Sequence, residues 1–224
     1  MKGMFVTGSD TGIGKTWSSC VLLAALRARG LRATGMKPVA SGCRETSEGL
    51  RNEDAEALIA ASDPMPAYSD CNPHAFAAPI APHLAAAMNG AEITLAPVSA
   101  AYTRLAMTAD RVVVEGVGGW AVPLSDTLMQ ADLVRTLDLP VVLVVGVRLG
   151  CLNHALLSAR AIAADGCRLV GWIANRIDAE MAFASANIDA LHARIAAPLL
   201  GVLEHAPIGT SAEFAHALDL RTLE

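Results

Sequence analysis

Two hydrophobic rhythms alternate along the chain. Met4 to Thr7, Arg111 to Val114 (RVVV) and Val141 to Val145 (VVLVV) are short, near-continuous apolar runs. Such runs suit strands covered on both faces, as in a parallel sheet. Leu31 to Lys37, Leu169 to Ala174 and Leu199 to Leu203 predict three further strands. Between the runs the spacing turns helical. From Lys15 to Arg29, Val21, Leu22, Ala25 and Leu26 fall on one face, and Gly30 closes the helix. Helices are also predicted over Glu53 to Ala61, with Asn52 placed to cap it, and over Ile80 to Met88, Val98 to Met107, Ala131 to Leu137, Asn153 to Ala164 and Ala184 to Ala196. Ser41 to Asn52 is polar and contains glycine, so it reads as a loop. Asp63 to Pro82 carries five prolines and reads as an irregular connection.

Strand and helix alternate with no repeat period and no linker. That pattern predicts one doubly wound α/β domain over residues 1–224, with a mainly parallel sheet. Ligands in such sheets bind at the carboxyl ends of the strands. The first turn, Lys37, Glu115 and Asn175 all fall at predicted strand ends.

Composition narrows the function classes. The formal net charge is -5 and the pI about 5.7. No basic patch with interleaved aromatics appears, so neither nucleic acid nor an acidic membrane surface is expected as a partner. Mean hydropathy is high at +0.41. Yet the longest apolar stretch after residue 130, Pro140 to Val147, is far short of the ~20 residues of a spanning helix. The start shows no signal-peptide core. Five scattered cysteines without a C-x-x-C pair suggest reduced thiols and a cytoplasmic protein. The six histidines show no zinc spacing. Of 17 basic residues only Lys2, Lys15 and Lys37 are lysine. Two of these three stand beside glycine-rich turns, where a compact ammonium can reach between phosphate oxygens.

GSDTGIGKT, residues 8–16, departs from G-x-x-x-x-G-K-[ST] by placing five residues between Gly8 and Gly14. It nevertheless follows a buried strand and opens a helix. In that setting backbone N–H groups, the helix N-terminus and Lys15 can hold phosphates, and Thr16 can offer a hydroxyl to Mg²⁺. A dinucleotide fingerprint fits poorly, because Trp17 stands where a third glycine is needed. Glu115 ends the run VVVE, where a P-loop protein keeps its metal-side acid. Asp54, one of several acids at a helix start, is equally consistent with favourable interaction with the helix dipole. Lys37, in MKPVASG, points toward the same edge as the loop. The residues alone leave it open between charge stabilisation on a transferring phosphoryl group and an ordinary strand-end lysine. Gly116 to Gly119 reads as a tight turn or as backbone that meets phosphate.

Taken together, the motifs resemble the dethiobiotin synthase family over nearly the whole length. The resemblance rests on FVTGSDTGIGKT, MKPVASG, GLRNEDA, NPHAF with APH, VVVEGVGGWAVPLSD, LPVVLVVGVRLGCLNHALLSA, GWIANR and APLLG. It implies a P-loop NTPase-like fold. It also implies that Gly12, Ile13, Gly14, Lys15, Thr16 and Trp17 hold the phosphates of ATP, with Mg²⁺ on Thr16, Asp54 and Glu115. Lys37 then looks like the catalytic lysine and Lys15 its partner. Ser41 and Thr11 face the substrate, 7,8-diaminononanoate, and Glu115, Gly116, Val117 and Gly118 line the phosphates and that substrate. Asn175 reads the adenine edge with Arg176 beside it, and Glu204, His205 and Ala206 lie near the base or ribose. The family works as a homodimer, in which Gly150, Cys151 and Asn153 lend a helix N-terminus to the substrate carboxylate in the partner subunit. The implied chemistry is capture of CO₂ by one amine as a carbamate, phosphorylation of that carbamate by ATP, and ring closure by the second amine.

Four departures from the family pattern stand out. Gly12 replaces an acid found in some members, Arg148 a familiar lysine, and Arg176 an often acidic neighbour of the adenine-reading Asn. The segment after Gly201 matches weakly. Among alternatives, partitioning-type P-loop ATPases need a lysine where Asp10 stands. Cobyrinate-type amide synthases need an appended glutaminase. A non-enzymatic nucleotide switch has no partner-binding segment to support it.

Overall fold

The computed structural model describes residues 2–205 and 210–223. Six parallel strands form the central sheet: β1 (Gly3–Gly8), β2 (Ala33–Met36), β7 (Arg111–Glu115), β8 (Val141–Gly146), β9 (Leu169–Asn175) and β10 (Leu199–Leu203), in the order β10-β9-β8-β1-β7-β2. β1 is central, with β7 on one side and β8 on the other. Adjacent residues along each strand enter opposite cores. Met4, Val6, Val113, Val144 and Ile173 pack on the side of α1 (Lys15–Ala28) and α2 (Glu53–Ala61). Phe5, Val112, Val114, Leu143 and Trp172 pack on the side of α4 (Pro82–Met88), α5 (Leu95–Thr108), α6 (Gln130–Thr136), α7 (Cys151–Ala164) and α8 (Ala184–His192). Both faces are covered, which is why the strands read as unbroken apolar runs. Each such side chain removed from water contributes about 1.5–3 kcal/mol.

Several stretches differ from the expectations above. Ser41 to Asn52 is not wholly loop: β4 (Arg44–Thr46) and β5 (Gly49–Arg51) pair as an antiparallel hairpin. Arg44 ties the hairpin to α2 through both oxygens of Glu56. The proline-rich connection contains α3 (Tyr68–Cys71) and a two-residue strand, β6 (His74–Ala75). β6 pairs in parallel with β3 (Val39–Ala40) just beyond Lys37. α7 begins two residues earlier than its apolar spacing suggests, because Gly150 adopts a left-handed φ of 95° and serves as its N-cap. α8 ends at His192 rather than Ala196. No helix among the described residues is long and apolar enough to cross a membrane. All five cysteines are free thiols.

Candidate active site

β1 delivers the phosphate-loop sequence to the top of the sheet, and α1 starts at Lys15 immediately after it. Gly14 caps that helix with φ 80° and ψ 35°, a left-handed conformation that favours glycine. A Cβ at this residue would collide with Asn175 Nδ2. Asn175, at the end of β9, is only 5% exposed, and its Nδ2 donates to the carbonyl of Ile13 at 2.8 Å. Its amide nitrogen therefore braces the loop from β9. Lys15 Nζ donates to the carbonyl of Asp10 at 3.2 Å. Burial, together with the ammonium of Lys37, pushes Lys15 down to about 8.

β2 and β7 are neighbours, paired Met36 with Val114. One residue further along each strand stand Lys37 and Glu115, both buried. Lys37 Nζ donates to Glu115 Oε1 at 2.6 Å and to the Gly116 carbonyl at 3.2 Å, and it pairs with Asp54 Oδ2 at 2.9 Å. Burial alone would lower the Lys37 pKa, but Glu115 and Asp54 outweigh it and hold it raised. Burial would raise Asp54, and Lys37 beside it holds it below the usual carboxylate range. Asp54 reaches the cluster from the first turn of α2, where the Asn52 side chain accepts from the Ala55 N–H. Thr16 Oγ1, in the first turn of α1, donates to Glu115 Oε1 at 2.9 Å. Lys37 beyond β2 and Thr16 of α1 thus converge on one carboxylate.

These groups face a cavity of about 440 Å³. Thr11, Gly12, Gly14, Lys15 and Thr16 line it from the loop and α1, Lys37, Ala40 and Ser41 from the segment after β2, and Asn52 and Asp54 from α2. Glu115, Val117 and Gly118 close it from β7. Ile13, Trp17, Gly116 and Asn175 lie outside its lining. Ile13 and Asn175 are buried beneath the loop, and Trp17 stacks edge-on against Phe214 at 5.3 Å. Arg176 pairs with Glu204 at 2.9 Å on the surface, and His205 is exposed. Gly150, Cys151 and Asn153 stand at the N-terminus of α7, also outside the lining. Ala206 lies outside the described residues.

The oxygen set suits Mg²⁺. Glu115 Oε2 is buried and, among the described residues, has no hydrogen-bond partner. Glu115, Asp54 and Thr16 together offer two carboxylates and a hydroxyl. Among the described residues no group of three or more His, Cys, Asp or Glu forms a cage for another metal. Mg²⁺ is commonly held by one or two carboxylates with phosphate and water completing its shell.

Sequence reasoning missed the residues behind this surface. Gln130, 1% exposed, accepts from the Val117 N–H through Oε1 at 2.9 Å and donates from Nε2 to the Gly119 carbonyl at 2.7 Å. It spans the Gly116–Gly119 turn from beneath. Asn72 and Tyr68 fasten the backbone around Lys37. A glutamine immediately before a predicted helix is the only sequence signal for Gln130. Asp10, at the rim, is paired with Arg148 through its Oδ2.

A family model described as an AAA domain matches residues 2–212. Solved structures show the same fold at low identity. The MinC:MinD cell division protein complex of Aquifex aeolicus aligns with TM-score 0.57 and 13% identity, covering 92% of this chain and 83% of that one. Chloroplast FtsY of Physcomitrella patens aligns with TM-score 0.52 and 18% identity, covering 96% and 64%. Curated relatives are far more similar. The ATP-dependent dethiobiotin synthetase BioD of Xanthomonas euvesicatoria is 60% identical over 96% of each chain. That of Xylella fastidiosa strain 9a5c is 59% identical over 93% of this chain and 92% of its own. With a family model over most of its length and relatives this similar end to end, the chain belongs to the ATP-dependent dethiobiotin synthetase family.

Proposed function

We propose that the chain converts 7,8-diaminononanoate, CO₂ and ATP to dethiobiotin, ADP and phosphate, the ring-closing step of biotin biosynthesis, using the cavity above the phosphate loop. The observation that carries the reading is the buried Lys37 ammonium bonded to Glu115 and Asp54 at the mouth of that loop. One amine of the diamine adds to CO₂ and loses a proton, giving a carbamate. A carbamate oxygen then attacks the γ-phosphorus of ATP, and ADP leaves. The second amine attacks the carbonyl of the mixed anhydride and loses a proton, the C–O bond to phosphate breaks, phosphate departs, and the ureido ring is closed.

Negative charge builds up at each stage, and the site supplies fixed positive charge in answer. Lys15 and the loop's N–H groups face the phosphates, and Lys37 faces the carbamate oxygen. Thr11, Ser41, Val117 and Gly118 shape the space for the diamine. Holding the two amines together makes ring closure intramolecular, a large advantage over a bimolecular step. Thr16, Asp54 and Glu115 would hold Mg²⁺, which when bound supplies Lewis-acid neutralisation of phosphate oxygens. Asn175 and Arg176 at the end of β9, and Glu204 and His205 just past β10, lie toward the base side in this reading.

The working unit in this reading is a homodimer. Gly150, Cys151 and Asn153 lie outside their own subunit's cavity, while Leu149 and Leu157 on the same loop and helix are 93% and 54% exposed. A second copy covering these apolar residues would bring the α7 N-terminus to the partner's substrate.

The test is direct. Purified protein given 7,8-diaminononanoate, bicarbonate, Mg²⁺ and ATP is expected to release phosphate and form dethiobiotin in equal amounts. Absence of any diamine-dependent turnover would refute the reading.

A further inference from the structure

Lys37 lies one residue past the end of β2 and Asp54 sits on a separate helix, yet the two must meet within hydrogen-bonding distance. Pairing with β7 stops at Met36, so the sheet alone does not hold the Lys37 backbone. Its N–H donates to the Cys71 carbonyl at 2.7 Å, and its carbonyl accepts from Asn72 Nδ2 at 2.7 Å. Asn72, the first residue of the NPHAF stretch, is 4% exposed. Its second N–H reaches the His74 carbonyl at 3.2 Å, and its Oδ1 accepts from the Tyr68 hydroxyl at 3.1 Å. The same hydroxyl oxygen accepts from the backbone N–H of Asn52 at 2.8 Å. Asn52 caps α2, which carries Asp54 two residues later.

The bonds close a circuit: Lys37 main chain, Asn72, Tyr68, Asn52, α2, Asp54 and back to the Lys37 ammonium. A backbone carbonyl at one end can only accept and a backbone N–H at the other can only donate. The Tyr68 proton must therefore point at Asn72 Oδ1, and the Asn72 amide has a single orientation. The Arg51 guanidinium lies 4.2 Å over the Tyr68 ring and restrains it from the other side. Neither Tyr68 nor Asn72 lines the cavity.

We propose that Tyr68 and Asn72 are positioning residues that set the distance between Lys37 and Asp54 and so tune the site for Mg²⁺-nucleotide. The proposal rests on the reading of Asp54 as a metal-side carboxylate. Outer partners of metal-binding groups commonly change affinity or activity 10- to 100-fold when removed.

The test uses full-length protein carrying Tyr68→Phe, which removes one oxygen, and Asn72→Asp, which keeps the acceptor for Tyr68 but removes the donor to Lys37. Binding of fluorescently labelled ADP is titrated at rising Mg²⁺. Each variant is expected to bind ADP without Mg²⁺ as the unchanged protein does, and to need about tenfold more Mg²⁺ for half-maximal enhancement. Turnover should lose kcat about tenfold with little change in KM for ATP. Adding Asp54→Asn to Tyr68→Phe should cost little more than Asp54→Asn alone, because both act through one carboxylate. Unchanged Mg²⁺ midpoints with only a lowered melting temperature, or full additivity in the double variant, would overturn the proposal. Should Asn72→Asp fail to fold, Tyr68→Phe carries the same test. Absence of diamine turnover in the unchanged protein would refute the proposed reaction while leaving the Mg²⁺ titration to decide the positioning role.

Discussion

Asn175 Nδ2 and the Ile13 carbonyl are 2.8 Å apart, so a side chain at the end of β9 is locked beneath the phosphate loop in the space that a Cβ at residue 14 would need. The loop's shape is therefore set jointly by its own glycine and by a strand 162 residues away in sequence.

Gly14→Ala tests this dependence. The left-handed φ costs an alanine about 1–2 kcal/mol before any contact is counted. The clash with Asn175 then forces the amide or the loop to move. Thermal denaturation is expected to show the lowered stability, and ADP titration a markedly weakened affinity. Native-like affinity in the variant would mean that the loop tolerates displacement of Asn175.

Lys37→Met separates the charge of Lys37 from its bulk. It leaves Glu115, 0% exposed, without its ammonium. Removing one partner of a buried pair costs about 3–5 kcal/mol. Urea denaturation should register a loss of that size, and diamine-dependent phosphate release should be almost abolished while ADP still binds. The double variant Lys37→Met with Glu115→Gln should regain stability without regaining activity. Parallel recovery of both would place Lys37 in a structural role alone.

Lys15 supplies a pH signature. Its pKa falls from 10.5 in a free chain to about 8 in the folded protein. Between those values the unfolded chain binds more protons, so the cost of burying this group is full below about 8 and is relieved as pH rises toward 10.5. Nucleotide phosphates favour the charged form. Binding of ADP near pH 8.5 should therefore take up a proton, seen calorimetrically as an enthalpy that varies with the buffer's ionisation heat. The uptake should fade toward pH 7 and vanish in Lys15→Met. Buffer-independent enthalpy at pH 8.5 would contradict the assignment.

The sheet was readable because burial on both faces leaves long apolar runs, and the phosphate loop because its glycines and lysine are local in sequence. Lys37, Glu115 and Asn175 could be placed at one edge, since a parallel sheet brings its strand ends together. Asp54 gained weight only through the family resemblance, its carboxylate being one of three acids in the first turn of α2. The hairpin of β4 and β5 escaped notice because three-residue strands, with no buried residue in either, carry no hydrophobic alternation. Tyr68, Asn72 and Gln130 escaped for a different reason. Each acts through a side chain bonded to distant backbone, and neither spacing nor composition records such bonds. The bond from Asn175 to Ile13 is likewise invisible to any local window.

The pairing of Met36 with Val114 has a consequence beyond chemistry. Lys37 and Glu115 are the residues that follow the last pair of that ladder. Were β2 to slip by one residue against β7, the side chains of the slipped strand would exchange faces. The ammonium would then leave a fully buried carboxylate uncompensated. Apolar runs such as RVVV tolerate slippage well, since one valine resembles another. The ion pair does not, and so the Lys37–Glu115 pair also penalises misalignment of the two strands.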